Sequence, residues 1–176
     1  KDGNRRIRRA SMASKQQPGG AGTMRFVRFE APADIRGTST LLIEQSSQDD
    51  DMWVYLPAMK RVRRLIASNK KDSFIGTDFS YGDVMGHKVA DWKHTLLGER
   101  QRDGVWHHVV ESVPADQAVL ANSGYAKRTT WLRKDNSATS YVETEDAGGQ
   151  PYKQFVFSDI LLVDAANSKW QPMKAV

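Results

Sequence analysis

The histidines are the first side chains to test for chemistry, because imidazole is a common metal ligand and a common general base. The chain has four of them, His87, His94, His107 and His108. His107 and His108 are adjacent, so on a regular strand they point to opposite faces and cannot both bind one metal ion. His94 could approach one of this pair across a hairpin, although a partly exposed histidine on a strand is the commoner arrangement. We predict no metal site.

A second chemical candidate is the run GTDFSY, residues 76–81, which places a hydroxyl near a carboxylate. The run lacks the G-x-S-x-G elbow, and no histidine is placed to activate Ser80. Asp78, Ser80 and Asp83 are instead predicted to cap turns and a helix start by accepting bonds from backbone N–H groups. Phosphate-loop and dinucleotide-binding patterns do not occur, and there is no cysteine. The sequence therefore predicts no enzyme and no cofactor.

The composition is that of an ordinary globular protein with an excess of basic charge. Of its 176 residues, 39% are hydrophobic and 27% are charged, and the formal net charge is +5. This length favours one domain over residues 1–176, and no apolar run of about 18 residues is present to span a bilayer. Basic residues concentrate in residues 1–28 and 60–71. Such charge suits anionic lipid headgroups, a negatively charged membrane surface, nucleic acid or simple solvation.

The most unusual stretch, residues 49–84, begins with an aromatic strand. In DMWVYL, alternation places Trp53 and Tyr55 on one face, and Met52, Val54 and Leu56 on the other. Both faces of this strand are therefore apolar.

An arginine-rich strand, residues 59–66, follows the aromatic strand. Alternation places Arg61 and Arg63 on one side and Lys60 and Arg64 on the other. Long basic side chains of this kind can lie across apolar surface while their charged ends stay in water. The next loop, residues 73–83, carries three aromatic side chains, which must be buried against something.

The remaining sequence indicates successive antiparallel hairpins. Strands are predicted at 4–15 and 24–30 around a glycine-rich turn, and Asp103-Gly104 is the strongest two-residue hairpin signal. A short helix is predicted at 81–89, and a short helix or a loop at 116–122. The other predicted strands are 38–45, 91–102, 105–113, 129–133, 139–145, 152–163 and 169–176. About nine or ten short strands with little helix favour an all-β sheet, sandwich or barrel.

The run WVYLPAMKRVRR followed by SFIGTDFSYGD resembles the outer-membrane lipoprotein-sorting-like proteins, relatives of the periplasmic carrier LolA. The resemblance is specific over about 35 residues, and weaker similarity of strand pattern extends through most of the chain. It implies a mostly β, LolA- and LolB-like fold: a curved antiparallel sheet forming an incomplete (half) β-barrel, with short helices and a loop over its concave face. It also implies a further N-terminal helix and C-terminal strands, and a location in the periplasm.

The resemblance implies an apolar cavity covered by the aromatic loop. Core packing is an alternative role for each aromatic residue, including Trp106 and Trp131. The residues predicted to form the cavity and its lid are Trp53, Tyr55, Phe74, Phe79, Tyr81, Trp92 and Leu96. The residues predicted to contact a lipid headgroup or a partner are Lys60, Arg61, Arg63 and Arg64. Pairing of this basic cluster with Asp49, Asp50, Asp51, Asp78 and Asp83 is the alternative.

The predicted function is that of a periplasmic carrier that holds an acyl chain of a lipid or lipoprotein and that serves a lipid-exporting membrane transporter. Loading is expected to involve opening of residues 73–83 to expose a pocket walled by Trp53 and Tyr55. The alternative is an envelope sensor or adaptor that binds a protein through the same sheet. Nucleic-acid binding is not predicted, because aromatic residues are not interleaved with the arginines in a known motif.

Overall fold

The computed structural model describes residues 7–18, 22–46 and 48–176. The chain divides into two compact units, of which the first ends at Gly86 and the second begins at His87. Each unit is described by itself. The prediction of one domain over residues 1–176 stays a prediction.

The first unit contains a five-stranded antiparallel sheet whose strands follow one another in chain order. Short β-forming runs separated by turn residues produce this meander. Its elements are β1 (Arg9–Gln16), β2 (Thr23–Ala31), β3 (Ser39–Ile43), β4 (Asp51–Leu56), β5 (Arg61–Leu65) and helix α1 (Tyr81–Met85), with 3-10 turns at Pro57–Met59, Ala67–Lys71 and Phe74–Gly76.

Alternation gives this sheet two distinct faces, named here by the side chains of β4. The inner face carries Met52 and Val54, both buried, and the outer face carries Trp53 and Tyr55. Register extends the inner face, since Val54 lies opposite Thr40 on β3 and opposite Arg63 on β5. The buried core of the unit lies on the inner face and consists of Val27, Phe29, Leu42, Met52, Val54, Phe74, Tyr81 and Met85.

The second unit contains a six-stranded antiparallel sheet in the order β11-β10-β9-β8-β7-β6. Asp103 and Gly104 both have positive φ, 51° and 77°, as expected for the predicted tight turn between β6 and β7. Asp116 caps α2 by accepting a bond from the N–H of Val119. The elements are β6 (Trp92–Arg102), β7 (Val105–Pro114), α2 (Gln117–Ser123), β8 (Lys127–Arg133), β9 (Thr139–Glu145), β10 (Pro151–Asp164) and β11 (Lys169–Ala175), with a 3-10 turn at Val89–Asp91.

The predicted class, mostly β and antiparallel with short helices, is confirmed. The described ranges contain eleven strands rather than nine or ten. The helix predicted over 81–89 is shorter, because Gly86 adopts φ 90° and its N–H closes the last turn on the carbonyl of Gly82 at 2.9 Å. Parts of the predicted strand 4–15, turn 16–23 and turn 46–51 lie outside the described residues.

Candidate functional site

Residues 73–85, here called the plug segment, cover the inner face of the first sheet. Phe74 is its central side chain: its ring centroid lies 5.7 Å from that of Phe29 on β2 and 5.2 Å, edge-on, from that of Tyr81. Met85 at the other end is fully buried. Three aromatic or thioether side chains of one short segment therefore pack into an apolar surface that strands β2, β3 and β4 present.

The backbone of the plug segment is closed on itself. The N–H of Phe74 donates to the carbonyl of Phe79 at 2.7 Å, and Ser73 and Ser80 form an isolated antiparallel bridge. Ser80 and Asp83 form a capping box: the Ser80 hydroxyl accepts from the N–H of Asp83 at 3.1 Å, and the Asp83 carboxylate accepts from the N–H of Ser80 at 2.8 Å. The prediction that Ser80 and Asp83 cap a helix start is confirmed.

The turn at Phe74–Gly76 holds an unfavourable conformation. Ile75 has φ 48° and ψ 42°, which a β-branched residue rarely adopts, and Gly76 follows with φ 69°. Strain of this kind typically costs about 1–3 kcal/mol and is maintained only by the surrounding structure. Contacts with the surrounding structure therefore maintain the conformation of the plug segment, which its own backbone preferences do not favour.

Three basic side chains tether the plug segment and the turn before it to the sheet. Arg8 and Arg25 donate to the carbonyls of Gly76 and Met85, each at 2.5 Å. Lys70 lies 2.6 Å from the carboxylate of Asp50, whose side chain is only 3% exposed. Because Asp50 is this deeply buried, loss of Lys70 would leave a poorly solvated charge.

Tyr81 titrates abnormally at this site. Burial, followed by the negative charge of Asp72, raises the pKa of the Tyr81 hydroxyl to about 12. The hydroxyl therefore stays neutral at physiological pH, and Tyr81 behaves as an apolar member of the plug.

The predicted cavity residues do not all lie on one surface. Phe74, Phe79 and Tyr81 belong to the inner-face cluster, with Phe79 partly buried. Trp53 and Tyr55 point to the outer face, where Tyr55 is 38% exposed. Trp92 and Leu96 belong to the second unit: Trp92 is buried beside His87, and Leu96 is 62% exposed. A pocket walled by Trp53 beneath the plug segment is therefore not what this arrangement forms.

The basic cluster of β5 is divided between the two faces. Arg64 lies on the outer face, where it bonds to Asp51 at 2.7 Å and lies 6.0 Å from the ring centroid of Trp53. Arg61 and Arg63 lie opposite Leu56 and Val54, on the inner face. Neither makes an ion pair with any residue in the described ranges.

Pairing of the basic cluster with nearby aspartates is thus observed for Arg64 alone, among the pairs that the structure describes. Asp50 binds Lys70, and Asp83 caps α1. Lys60 is exposed and follows the Pro57–Met59 turn in a left-handed conformation, with φ 49°. Arg61 and Arg63 therefore remain available at the rim of the inner face.

The second unit holds a separate cavity of about 450 Å³ that the sequence did not reveal. The buried His107 lines it; the ring Nδ1 donates to the carbonyl of Val105 at 2.9 Å, and Nε2 lies within hydrogen-bonding distance of the Ser140 hydroxyl, at 2.8 Å. Arg102 lies over Tyr141, with 3.9 Å between guanidinium carbon and ring centroid. Both nitrogens of His107 are thus satisfied within the protein.

Two further tests concern metals and membranes. Residues 7–18, 22–46 and 48–176 contain no group of three or more His, Cys, Asp or Glu side chains arranged to hold a metal ion. No helix among them has the length and apolar character required to cross a bilayer.

Comparison with solved structures identifies the fold. A putative outer membrane lipoprotein-sorting protein domain from Vibrio parahaemolyticus superimposes with a TM-score of 0.85 at 29% identity, covering 96% of this chain and 68% of that chain. A DUF1329 family protein from Desulfovibrio piger gives 0.82 at 30% identity, covering 94% and 68%. A LolA superfamily protein from Nitrosomonas europaea gives 0.57 at 18% identity, covering 86% and 69%, which supports the fold alone. No description among these three names an enzyme.

The fold is therefore LolA-like, as the central motif predicted. A family model whose description reads "Uncharacterized protein" matches residues 22–176. None of the curated proteins compared with the sequence matches it. The chain belongs to the DUF1329 family, whose structural relatives include a lipoprotein-sorting-type domain.

Proposed function

We propose that this protein is a non-enzymatic periplasmic carrier that holds an acyl chain of a lipid or lipoprotein on the inner face of its first sheet. The observation that supports this proposal most directly is the plug segment, because its side chains occupy an apolar surface that an acyl chain could equally occupy. Phe74, Tyr81 and Met85 would be displaced from the inner face as the acyl chain binds there. Trp53 and Tyr55 would not wall this site, because they point to the outer face.

The energies of the two occupants are comparable. An acyl chain of fourteen to sixteen carbons gains roughly 10 kcal/mol gross on burial, at ~0.8 kcal/mol per CH₂. Exposing Phe74, Tyr81 and Met85 costs about 1.5–3 kcal/mol each, or roughly 5–9 kcal/mol together. The difference is small, and ordering of the ligand reduces it further. Loading and release would therefore be reversible without an energy source within the carrier.

The strain at Ile75 and the tethers act in opposite directions on this exchange. Strain in the left-handed turn favours release of the plug segment, whereas the bonds from Arg8, Arg25 and Lys70 favour closure. A carrier needs such a balance, since it must stay closed when empty and open at a loading site. A lipid-exporting transporter in the inner membrane is the partner we propose for loading; no cofactor and no nucleic acid takes part.

Lipid bound during expression provides the first test. Protein purified without detergent is expected to contain lipid that mass spectrometry of an organic extract identifies. The same protein, after delipidation, is expected to bind a fluorescent hexadecanoyl probe that unlabelled hexadecanoate displaces. Absence of both co-purified lipid and probe binding would contradict the carrier proposal.

A Phe74→Ala variant tests the plug itself. Removing this ring lowers the penalty for opening, so the hexadecanoyl probe should bind several-fold more tightly than to the original protein. Trp106→Ala is the matched control, because Trp106 is an aromatic residue of the second unit with 54% exposure. Equal affinities of the Phe74 and Trp106 variants would argue against displacement of the plug segment.

The exposed outer face supports a second candidate function, that of an envelope adaptor. Phe26, Leu41 and Trp53 lie side by side across β2, β3 and β4, and Phe26 and Leu41 are 46% and 37% exposed. Arg64 borders this row, so the partner would be a protein with an acidic, partly apolar surface. In that case Arg64→Glu should abolish capture of the partner, whereas the hexadecanoyl probe should bind weakly or not at all.

A further inference from the structure

Two rows of side chains cross the inner face and end at β5 in arginine. In one row Val27, Thr40, Val54 and Arg63 lie opposite one another on successive strands. In the next row, Leu56 on β4 lies opposite Arg61 on β5. Phe29 on β2 neighbours Thr38, just before β3, and its N–H donates to the Thr38 carbonyl at 2.9 Å. Over β2 to β4 each row is buried or partly buried and combines apolar side chains with one threonine, and at the edge strand it ends in a cation.

We propose that the cargo is an anionic lipid whose phosphate headgroup is bound by Arg61 and Arg63 while its acyl chain replaces the plug segment. The proposal rests on the carrier function proposed above. It assigns the two arginines to the ligand because the structure places them beside the surface that the plug covers.

The spacing of the two arginines suits a single headgroup. Residues two apart on a strand are about 6.6–6.8 Å apart and project from the same face. Two long side chains at this separation can converge on one phosphate group, and a guanidinium binds phosphate oxygens in pairs. Their aliphatic stems can meanwhile lie along the apolar row.

The electrostatics distinguish Arg61 and Arg63 from their neighbour. Arg64, on the outer face, is already bonded to Asp51 at 2.7 Å. Arg61 and Arg63 are exposed and form no ion pair with the described part of the chain. The uncompensated positive charge of β5 therefore lies on the side that faces the acyl site.

The test compares two competitors with the same hexadecanoyl chain, anionic lysophosphatidylglycerol and uncharged monoacylglycerol, for displacement of the hexadecanoyl probe. The original protein should prefer the anionic lipid by about tenfold or more. The double variant Arg61→Gln/Arg63→Gln should lose that preference, because its binding of the anionic lipid weakens most. Arg64→Gln should keep the preference, because its side chain lies on the other face.

Each other outcome has a defined meaning. Equal binding of both lipids to the original protein would overturn the headgroup assignment and leave the carrier function standing. Failure of both lipids and of the probe would overturn the carrier function as well. Inorganic phosphate is included alone: if it abolishes the anionic preference at concentrations similar to those of the lipid, the site binds free phosphate, and the headgroup assignment fails.

A folding control keeps the result interpretable. Both glutamine variants alter exposed side chains, so thermal unfolding by circular dichroism should match the original protein within a few degrees. Should the double variant unfold early, Arg61→Lys/Arg63→Lys takes its place. It keeps the charge but loses the paired hydrogen bonds, so it should retain only part of the anionic preference. Full retention would contradict binding through the guanidinium groups.

Discussion

Two non-glycine residues among those described in the first unit adopt positive φ, and each lies in or next to an element of the proposed site. Lys60, at φ 49°, precedes the arginine-rich strand, and Ile75, at φ 48°, lies in the plug segment. Left-handed backbone is unfavourable for L-residues other than glycine by roughly 1–2 kcal/mol. At Lys60 the side chain is exposed, so the conformation serves the turn between β4 and β5. At Ile75 the side chain packs against the core, so this packing maintains the strained backbone of the plug segment.

Lys60→Gly is expected to stabilise the protein. Glycine adopts positive φ without a steric penalty, and this gain exceeds the added entropy of the unfolded chain, giving a net increase in the free energy of unfolding of roughly 0.5 kcal/mol. Urea denaturation measures the change. Val62→Gly, an exposed position inside β5, is the control and should destabilise by up to about 1 kcal/mol. A destabilising effect of Lys60→Gly would mean that its side chain matters to the fold.

Alkaline pH should loosen the plug segment through Tyr81. The pKa of this hydroxyl is about 12 in the folded protein, above its usual value of 10.0. The unfolded chain therefore loses this proton first, and the stabilisation by neutral Tyr81, complete below about pH 10, is lost as the pH rises towards 12. Tyr81→Phe should remove this component of the pH dependence, as followed by thermal unfolding between pH 8 and pH 11. An unchanged alkaline dependence in Tyr81→Phe would show that Tyr81 is not responsible.

At the scale of elements, alternation predicted the faces of β4 and β5 correctly, and hairpin chemistry predicted the β6–β7 turn. Alternation did not predict which face of β4 is buried, because both faces are apolar and the plug segment packs on only one of them. The sequence favours Trp53 and Tyr55 as the cavity wall, yet Phe74 and Tyr81 pack on Met52 and Val54 instead. Large aromatic residues are not by themselves a sign of the inner face.

Long-range contacts account for most of what the sequence did not reveal. Lys70 and Asp50 are 20 residues apart, and Arg25 and Met85 are 60 apart, so no local pattern indicates that either pair meets. The cavity beside His107 likewise joins residues of separate strands, although a regular strand did correctly place His107 and His108 on opposite faces. By contrast, the Ser80 capping box was predictable, since its two partners are three residues apart.

Ser80→Ala tests whether α1 helps to hold the plug segment closed. Loss of an N-cap side chain typically costs about 1 kcal/mol, and here it should favour opening, so the hexadecanoyl probe should bind up to about fivefold more tightly. Asp116→Ala removes the N-cap of α2 in the second unit and is the matched control. It should lower thermal stability to a similar extent without changing probe affinity. The same affinity change in both variants would indicate a general loss of stability rather than an effect on the plug.

The net charge of the chain matters for membrane attraction, because attraction to an anionic bilayer depends on the total charge, whereas the proposed headgroup binding depends on two residues. The formal net charge is +5. Such a surplus raises the local concentration of the protein at a negatively charged membrane, which is where a lipid carrier loads and unloads. The two effects can therefore be separated by variants that remove equal charge either from the inner face of β5, at Arg61 and Arg63, or from Lys60 and Arg64 outside that face.

We expect the delipidated protein to sediment with phosphatidylglycerol-containing vesicles at low salt, and less so as salt is raised, because the Debye length falls from ~30 Å at about 0.01 M to ~3 Å at about 1 M. Arg61→Gln/Arg63→Gln and Lys60→Gln/Arg64→Gln each lower the formal net charge by two, from +5 to +3. Both double variants should therefore lose vesicle binding to the same extent, although only the first should lose its preference for the anionic lysolipid. If the two variants differ in vesicle binding, the membrane is recognised by one face rather than by total charge. If vesicle binding is independent of salt, electrostatic attraction is not what brings this protein to the bilayer.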